Sequence, residues 1–399
     1  MNKMKFSRVN GRIWSPIAIW SLAFASSFPI SARAQDWRPI MDKLTEKGIF
    51  SKEDRDEIDK EMEAAGAEKA SPAALPFSLK VGGRVQLRFA AQQNDPNGKD
   101  KEDSFRIRRA RISMDGTLIE DVDFHVEADV SREAALEEAE IRLLYFPWAA
   151  ATLGQFKTPF SMENLTSAKK LDTAERAEAV TALSPDKEIG LMVGGKFFDK
   201  RLSYRASLTN GNGKNKKAND NDQFLYVLRL EGVPVREGHL FGRNFSASIG
   251  ANAALSHDSA VRAEEIFGVS KALGSASEGK RRLAGCDLSL RWGKSSFKAE
   301  YLYGNFKPSR RGLRQINAGG YYVQGGHYLT PDIQAIIRHE DYDPDRHVSD
   351  NSDLRWTTLG VNYFIREHDL KVQANYIFKG EDGISVKNDT LFVMIQLLI

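Results

Sequence analysis

The chain has 399 residues and carries 57 Lys and Arg against 54 Asp and Glu, which gives a formal net charge of +3. Charged residues make up 28% of it, and no internal run reaches the roughly 18 apolar residues of a membrane-spanning helix, so the composition excludes a helical membrane protein. It does not exclude a membrane β-barrel, because strands that alternate apolar and polar residues average to a composition like that of a soluble protein.

The first 34 residues have the pattern of a secretory signal peptide. Four basic residues precede the apolar stretch IWSPIAIWSLAFASSFPI, and the small residues ARA lie directly before Gln35. This order predicts export and cleavage after residue 34. The predicted mature chain loses five basic and no acidic residues, which leaves 52 basic against 54 acidic residues. A net basic charge therefore cannot explain binding of nucleic acid or anions, and any selectivity must come from local placement of charge.

The segment after the cleavage site differs from the rest of the chain. Residues 36–69 are rich in Glu, Lys and Ala, and Ile58, Met62 and Ala65 form a narrow apolar stripe at helical spacing. Such a stripe fits either a self-associating coiled helix or a solvated helical tether, and both remain open. We therefore predict a signal peptide at 1–34, a helical periplasmic segment with its SPAALP linker at 35–76, and one further domain at 77–399.

From Phe77 the hydrophobic period changes to two. In FSLKVGGRVQLRF the odd-numbered positions are apolar or glycine, and the even-numbered ones carry Ser, Lys, Gly, Arg and Gln. This run exceeds the roughly 9–11 residues that a tilted strand needs to cross a bilayer. The alternation recurs as far as the final LFVMIQLLI, and aromatic residues mark many strand ends, as in the interfacial girdles of a membrane barrel. A two-sheet sandwich is the soluble alternative, but it would use shorter strands.

The length of this region predicts the number of strands. About 320 residues, at roughly ten per strand and ten per connection, correspond to about 16 strands. We therefore predict an all-β fold, a closed antiparallel transmembrane β-barrel of about 16 strands. A barrel of this width encloses a water-filled lumen, so the predicted architecture is that of a pore.

One connection is too long and too basic for a simple hairpin. The stretch 153–177, LGQFKTPFSMENLTSAKKLDTAERA, carries Lys157, Lys169, Lys170 and Arg176. It can fold inward and narrow the lumen with its basic residues at the constriction. It can equally lie outside with those residues in water, and the pattern alone leaves both arrangements open.

Several segments resemble the phosphate-selective porins O and P of Gram-negative outer membranes, and they occur in that family's order. They are LKVGGRVQL, SFRIRRARISMDGTLIEDVDFHVEADVS, the stretch 153–177, AEYLYGNFK with GGYYVQGGHYLT, and TTLGVNYFIREHDLKVQANYIF. The resemblance implies a 16-stranded outer-membrane barrel that assembles as a homotrimer, with its third loop folded into the pore.

The resemblance also assigns pore residues on the barrel wall. Arg84 matches the arginine of the first-strand G-G-R, and Arg108 and Arg109 match paired arginines of the second strand. Because the alternation changes phase at this pair, we expect a β-bulge that lets both side chains reach the lumen. Glu137 corresponds to an acidic pore residue of the family.

In the long loop, Ser167 and Lys169 match the family's T-S-S-K. The chain departs from the phosphate binders at Asn164, where they carry lysine, and at Ala168, where they carry a second serine. Only Arg262 remains of a ladder of arginines that follows D-S in phosphate-selective members. These departures weaken the expectation of strict phosphate selectivity.

We predict an outer-membrane diffusion channel for small anions such as phosphate, with basic residues at its constriction. Two alternatives remain open at this point, a broad-specificity general porin and a structural envelope anchor with little conductance. The sequence has no metal-ligand spacing and no nucleophile or phosphate-loop motif, so we predict neither an enzyme nor a cofactor. The expected partners are small inorganic anions such as phosphate, outer-membrane lipids and two further copies of the chain, and not nucleic acid.

Overall fold

The computed structural model describes residues 77–93, 103–131, 134–216, 218–261, 267–268, 277–348, 352–381 and 387–399. The predicted signal peptide, the predicted helical segment at 35–76 and Arg262 lie outside the described residues. Within the described part of the chain, no helix is long and apolar enough to cross a membrane.

The described chain forms 16 antiparallel strands that close into one barrel, in which each strand pairs with its neighbours in sequence and β1 pairs with β16. This confirms the predicted closed barrel. The strands are β1 (Ser78–Gln92), β2 (Ser104–Ile119), β3 (Val122–Asp129), β4 (Ala135–Leu143), β5 (Ala150–Lys157), β6 (Lys187–Phe197), β7 (Leu202–Thr209), β8 (Leu225–Leu240), β9 (Arg243–Val261), β10 (Ser277–Trp292), β11 (Ser295–Pro308), β12 (Ile316–Tyr328), β13 (Ile333–Asp343), β14 (Leu354–Arg366), β15 (Leu370–Glu381) and β16 (Thr390–Leu398).

The alternation of β1 separates the two faces of the wall. Gln86 is 0% exposed, whereas the adjacent Leu87 is 49% exposed. Arg84 and Arg88, on the same face as Gln86, are also buried, while Val81 shares the exposed face of Leu87. Successive side chains of a strand point to opposite faces, so the polar set lies inside the barrel and the apolar set faces outward.

Several strand pairs of the described barrel show register shifts, and two of these are β-bulges that insert one charged residue into the wall of the lumen. In the pairing of β1 with β2, Gln86 lies opposite Arg109 and Leu87 lies opposite Ile107, so Arg108 is the extra residue. In the pairing of β3 with β4, Glu127 lies opposite Glu138 and Ala128 lies opposite Leu136, so Glu137 is extra. The expected bulge at the arginine pair is therefore present, and the bulge at Glu137 was not anticipated.

Residues 158–186, which we call loop 3, connect β5 to β6. They contain a short helix α1 (Met162–Leu165), a 3-10 turn (Ala168–Lys170) and a second helix α2 (Glu178–Leu183). The Ser161 hydroxyl accepts a hydrogen bond from the Asn164 backbone N–H at 3.1 Å and so caps α1. Gly154, just before the loop, has φ of 120°, and a Cβ there would lie 2.1 Å from the Ala139 carbonyl oxygen, so only glycine fits.

Loop 3 lies on the inner face of β11 to β16. Its helix α2 contacts β11, β12 and β13, and Val180 and Leu183 belong to the same buried apolar cluster as Phe306, Ile316 and Tyr322. Burial of these side chains away from water stabilises the docked loop. The main apolar core among the described residues therefore lies between loop 3 and one side of the wall, which leaves the opposite side of the lumen, at β1 to β4, open to solute.

Candidate functional site: the charged lumen

A cavity of about 1300 Å³ occupies the lumen beside loop 3. Its lining comes from β1 to β6, from loop 3 and from β13 to β16, and includes fourteen basic and ten acidic side chains. The formal excess is therefore four positive charges, although the predicted mature chain as a whole would carry no positive excess. Local placement has produced a basic lumen, and the arrangement of pairs within it decides what an ion would meet.

Three arginines surround one carboxylate at the boundary between the wall and loop 3. Arg108 donates to Glu175 through Nε at 2.7 Å and through Nη2 at 2.9 Å. Arg88 donates to the same carboxylate through Nη1, and Nη2 of Arg109 lies 3.9 Å from Glu175 Oε2. We call these three arginines with Glu175 the arginine cluster. It carries a formal charge of +2, and charge-assisted bonds of this kind are among the strongest that a side chain makes.

Glu175 is ionised at neutral pH in this setting. Burial by itself raises the pKa of Glu175, but the hydrogen bonds and charge of Arg108, followed by the charges of Arg109 and Arg88, outweigh that effect. The pKa of Glu175 is therefore held below its usual value. The cluster thus contains one negative charge, and it comes from loop 3 rather than from the wall.

A second network lies next to the arginine cluster on β1 to β3. Arg84 donates to Glu127 at 2.9 Å, and Arg111 bridges Glu127 at 2.6 Å and Asp129 at 2.9 Å. These side chains are all largely buried, so their charges offset one another within the wall. Arg84 therefore lines the cavity with its guanidinium engaged by a carboxylate.

Glu137, the extra residue of the β4 bulge, is surrounded by cations. It contacts Lys187 and lies 2.5 Å from Lys214 Nζ and 3.1 Å from Arg111 Nη2. Glu137 is 4% exposed, so a single carboxylate is shared by three basic side chains. The structure therefore places it in the lumen wall as a neutralising group within a basic region rather than as an isolated acidic charge.

The basic residues of loop 3 differ in their availability. Ser167 and Lys169 line the cavity, and the Lys169 side chain is exposed, with no ion pair to any described residue. Arg176 is engaged differently, because it donates to the Thr166 carbonyl oxygen at 2.7 Å and to the Glu163 carbonyl oxygen at 3.1 Å. Lys169 is thus a cation without an ion pair among the described residues and faces the cavity. Arg176 instead stabilises the backbone of loop 3 through its hydrogen bonds to carbonyl oxygens.

Buried polar contacts attach loop 3 to the wall. Arg338 on β13 pairs with Glu163 of α1, and Glu300 on β11 accepts the backbone N–H groups of Met162 at 3.0 Å and Glu163 at 3.2 Å. Arg338 also stacks over Tyr322, with its guanidinium carbon 4.8 Å from the ring centre. These contacts fix the position from which Glu175 reaches the arginines.

Sequence reasoning identified most of the wall residues but missed their partners. Alternation places Arg84 and Arg88 inside, and the family match places Arg108 and Arg109 beside them. Glu175 lies within the stretch 153–177 but was not predicted as a site residue, and two other acidic residues of that stretch, Glu163 and Asp172, do not distinguish it. Nothing in the sequence pairs it with arginines 67 and 87 positions away.

The family model for phosphate-selective porin O and P matches residues 79–398. The chain belongs to this porin family. Two structures of OmpT of Vibrio cholerae share the fold: a loop L8 deletion mutant at 14% identity and TM-score 0.60, covering 81% of this chain and 99% of that one, and an in-vitro folded trimer form at 12% identity and TM-score 0.58, with the same two coverages.

An anion-selective porin from Comamonas acidovorans also shares the fold, at 11% identity and TM-score 0.59, covering 81% of this chain and 100% of its own. A protein of Aquifex aeolicus (strain VF5), described as uncharacterized, is 23% identical over 424 residues, which span 93% of this chain and 94% of the relative. The family and the barrel make this chain a porin of the Gram-negative outer membrane, that is, a channel rather than an enzyme.

Proposed function

We propose that this porin passes small inorganic anions, phosphate or similar ions, in preference to cations. The observation that carries the proposal is the arginine cluster, in which Arg88, Arg108 and Arg109 converge on one point of the lumen and retain a net positive charge. The free Lys169 and the excess of basic lining residues support it. The anion selectivity named for the Comamonas porin and the phosphate selectivity named for the family agree with it.

Passage requires attraction without retention. Guanidinium groups replace part of an anion's hydration shell with charge-assisted hydrogen bonds, which lowers the barrier to entry. An ion that binds too tightly blocks the pore, so its affinity must stay low. Carboxylates between the arginines keep the affinity for anions low, because Glu127, Asp129, Glu137 and Glu175 cancel most of the charge that the wall arginines carry.

The departures of loop 3 from the phosphate binders point the same way. Asn164, at the position of their lysine, lines the cavity and has a buried amide nitrogen without a hydrogen-bond partner among the described residues. A neutral amide attracts an anion less than an ammonium does. We therefore propose a general preference for anions over cations, with weak affinity for phosphate.

The reversal potential across a planar bilayer tests this proposal. In a KCl gradient the purified porin should show a reversal potential of the sign set by chloride, and micromolar phosphate should reduce the chloride current only weakly. A value near zero would instead assign a general porin, and a reconstituted barrel that passes little current would assign an envelope anchor. A reversal potential of the sign set by potassium would contradict the proposal.

We also propose that the mature protein is a homotrimer that has lost residues 1–34. The trimer form of OmpT supports the assembly. Native mass spectrometry of the detergent-solubilised protein should give three times the mass of residues 35–399. A complex of another size, or a protomer that begins at Met1, would contradict the assembly or the cleavage respectively.

A further inference from the structure

The backbone of Glu175 is hydrogen-bonded to loop 3 and the wall, whereas its side chain points toward the arginines. Its carbonyl oxygen accepts hydrogen bonds from the Thr173 hydroxyl at 2.7 Å and from Arg338 Nη1 at 3.4 Å. Arg338 is in turn paired with Glu163, so the backbone at Glu175 is tied to the docked part of loop 3. The carboxylate points the other way, toward the wall, and its side chain keeps 25% of its surface exposed to the lumen.

The arginines around this carboxylate have hydrogen-bond donors that Glu175 does not use. Arg108 uses Nε and Nη2 on Glu175, and Arg88 uses Nη1. The buried Nε of Arg88 has no hydrogen-bond partner among the described residues, and Arg109 makes only a long contact through Nη2 while its Nη1 donates to Gln86 at 2.8 Å. A guanidinium offers five donors in a fixed fork, so two carboxylate oxygens leave this cluster unsaturated.

A tetrahedral oxyanion matches the unsaturated cluster better than a carboxylate does. Phosphate and sulfate present four oxygens and, near neutral pH, up to two negative charges, against two oxygens and one charge on Glu175. Arginine forks bind such oxygens in pairs. Because the carboxylate is partly exposed, it can leave the cluster by rotation of its side chain without undocking the loop.

We propose that Glu175 is an internal competitor for the anion site: its carboxylate occupies the place of a permeating tetrahedral oxyanion and keeps the affinity of Arg88, Arg108 and Arg109 for that ion low. This rests on the proposed function, since it takes the arginine cluster to be the anion site. Glu175 thereby determines specificity. A doubly charged oxyanion displaces it more readily than chloride does, and each ion leaves as the carboxylate returns.

The test is Glu175→Gln, which removes the charge and keeps the size. Chloride current through planar bilayers is recorded while inorganic phosphate is added, and the half-blocking phosphate concentration is compared with that of the unmodified porin. We expect it to fall by roughly tenfold or more, since a hydrogen bond to a charged group contributes about that factor or more. Sulfate should show the same change, because the site recognises the oxyanion geometry rather than phosphorus.

Glu178→Gln is the matched control. Glu178 lies on the same loop and lines the same cavity, and none of its described ion pairs or hydrogen bonds is to the arginine cluster. The substitution takes one carboxylate out of the lumen without breaking a contact with the three arginines, so the half-blocking concentration should stay within about twofold of the unmodified value. Glu175→Asp provides a second variant should Glu175→Gln fail to fold. Because its side chain is shorter, its half-blocking phosphate concentration should lie between that of the unmodified porin and that expected for Glu175→Gln.

Equal phosphate block in Glu175→Gln and the unmodified porin would overturn the proposal, and so would an equal gain of block in Glu178→Gln, which would show that only overall lumen charge matters. The result is separable from that of the proposed function. If the unmodified porin has a reversal potential of the sign set by potassium and Glu175→Gln gains tight phosphate block, the anion preference is refuted and the role of Glu175 as competitor stands. If the unmodified porin is selective for chloride and Glu175→Gln gains no phosphate block, the anion preference stands and the role of Glu175 is refuted.

Discussion

Replacing Arg108 and Arg109 together by glutamine should move the reversal potential in a KCl gradient toward cation preference. The double variant leaves Arg88 as the only arginine on Glu175, so the cluster falls from a formal charge of +2 to zero. Two unit charges 4 Å apart interact with about 1 kcal/mol in water and about 4 kcal/mol at the lower effective dielectric of a protein surface. The loss of two such charges at one point of the lumen is the largest change in selectivity that we expect from any pair of substitutions.

A matched pair of charges on the outside of the barrel provides the control. Lys280 and Arg282 lie on the exposed face of β10, where they alternate with Gly279, Arg281 and Leu283. Replacing both by glutamine removes the same charge without touching the cavity, and the reversal potential should not move. An unchanged potential in the Arg108/Arg109 variant would remove both residues from the ion path, whatever their distance from Glu175.

Replacing Arg338 by methionine should loosen loop 3. Arg338 is 3% exposed and pairs with Glu163, which is 5% exposed, so the variant leaves a buried carboxylate with only the Ala177 backbone N–H at 2.9 Å. Removing one partner of a buried pair costs about 3–5 kcal/mol. We expect the docked loop to leave the wall for part of the time, which appears as noisier open-channel current and a larger mean conductance in single-channel records.

Two further variants define what that result means. Arg366→Met breaks a solvent-exposed contact with Asp369 at 3.9 Å and should leave the current unchanged. Combining Arg338→Met with Glu163→Met removes both members of the buried pair and should restore part of the quiet current, because the carboxylate of Glu163 is then no longer buried without its partner. Quiet currents of normal size in Arg338→Met would show that the pair does not hold the loop in place.

The sequence allowed the wall to be predicted and left the interior of the pore undetermined. Alternation in β1 separates Gln86 from Leu87 because a strand has only two faces, and this local rule needs no knowledge of the partner strand. The phase change at Arg108 and Arg109 was sufficient to anticipate a bulge. The contact of Glu175 with Arg88 depends on how a 29-residue loop docks, and that docking is decided by packing of Val180 and Leu183 against distant strands. No periodicity encodes such a contact.

At each of the two bulges, at Arg108 and at Glu137, deletion of a single residue would change the charge of the lumen without disturbing the pairing of the strands. Without Arg108, Ile107 would remain opposite Leu87 and Arg109 opposite Gln86, and the inside–outside alternation of β2 would become continuous. Without Glu137, Leu136 and Glu138 would likewise keep their partners Ala128 and Glu127. Each of these charges is thus an addition to a sheet that is complete in its absence. A gene that gains or loses a single codon at either point changes the ionic character of the pore by one unit, while every other strand residue keeps its neighbour.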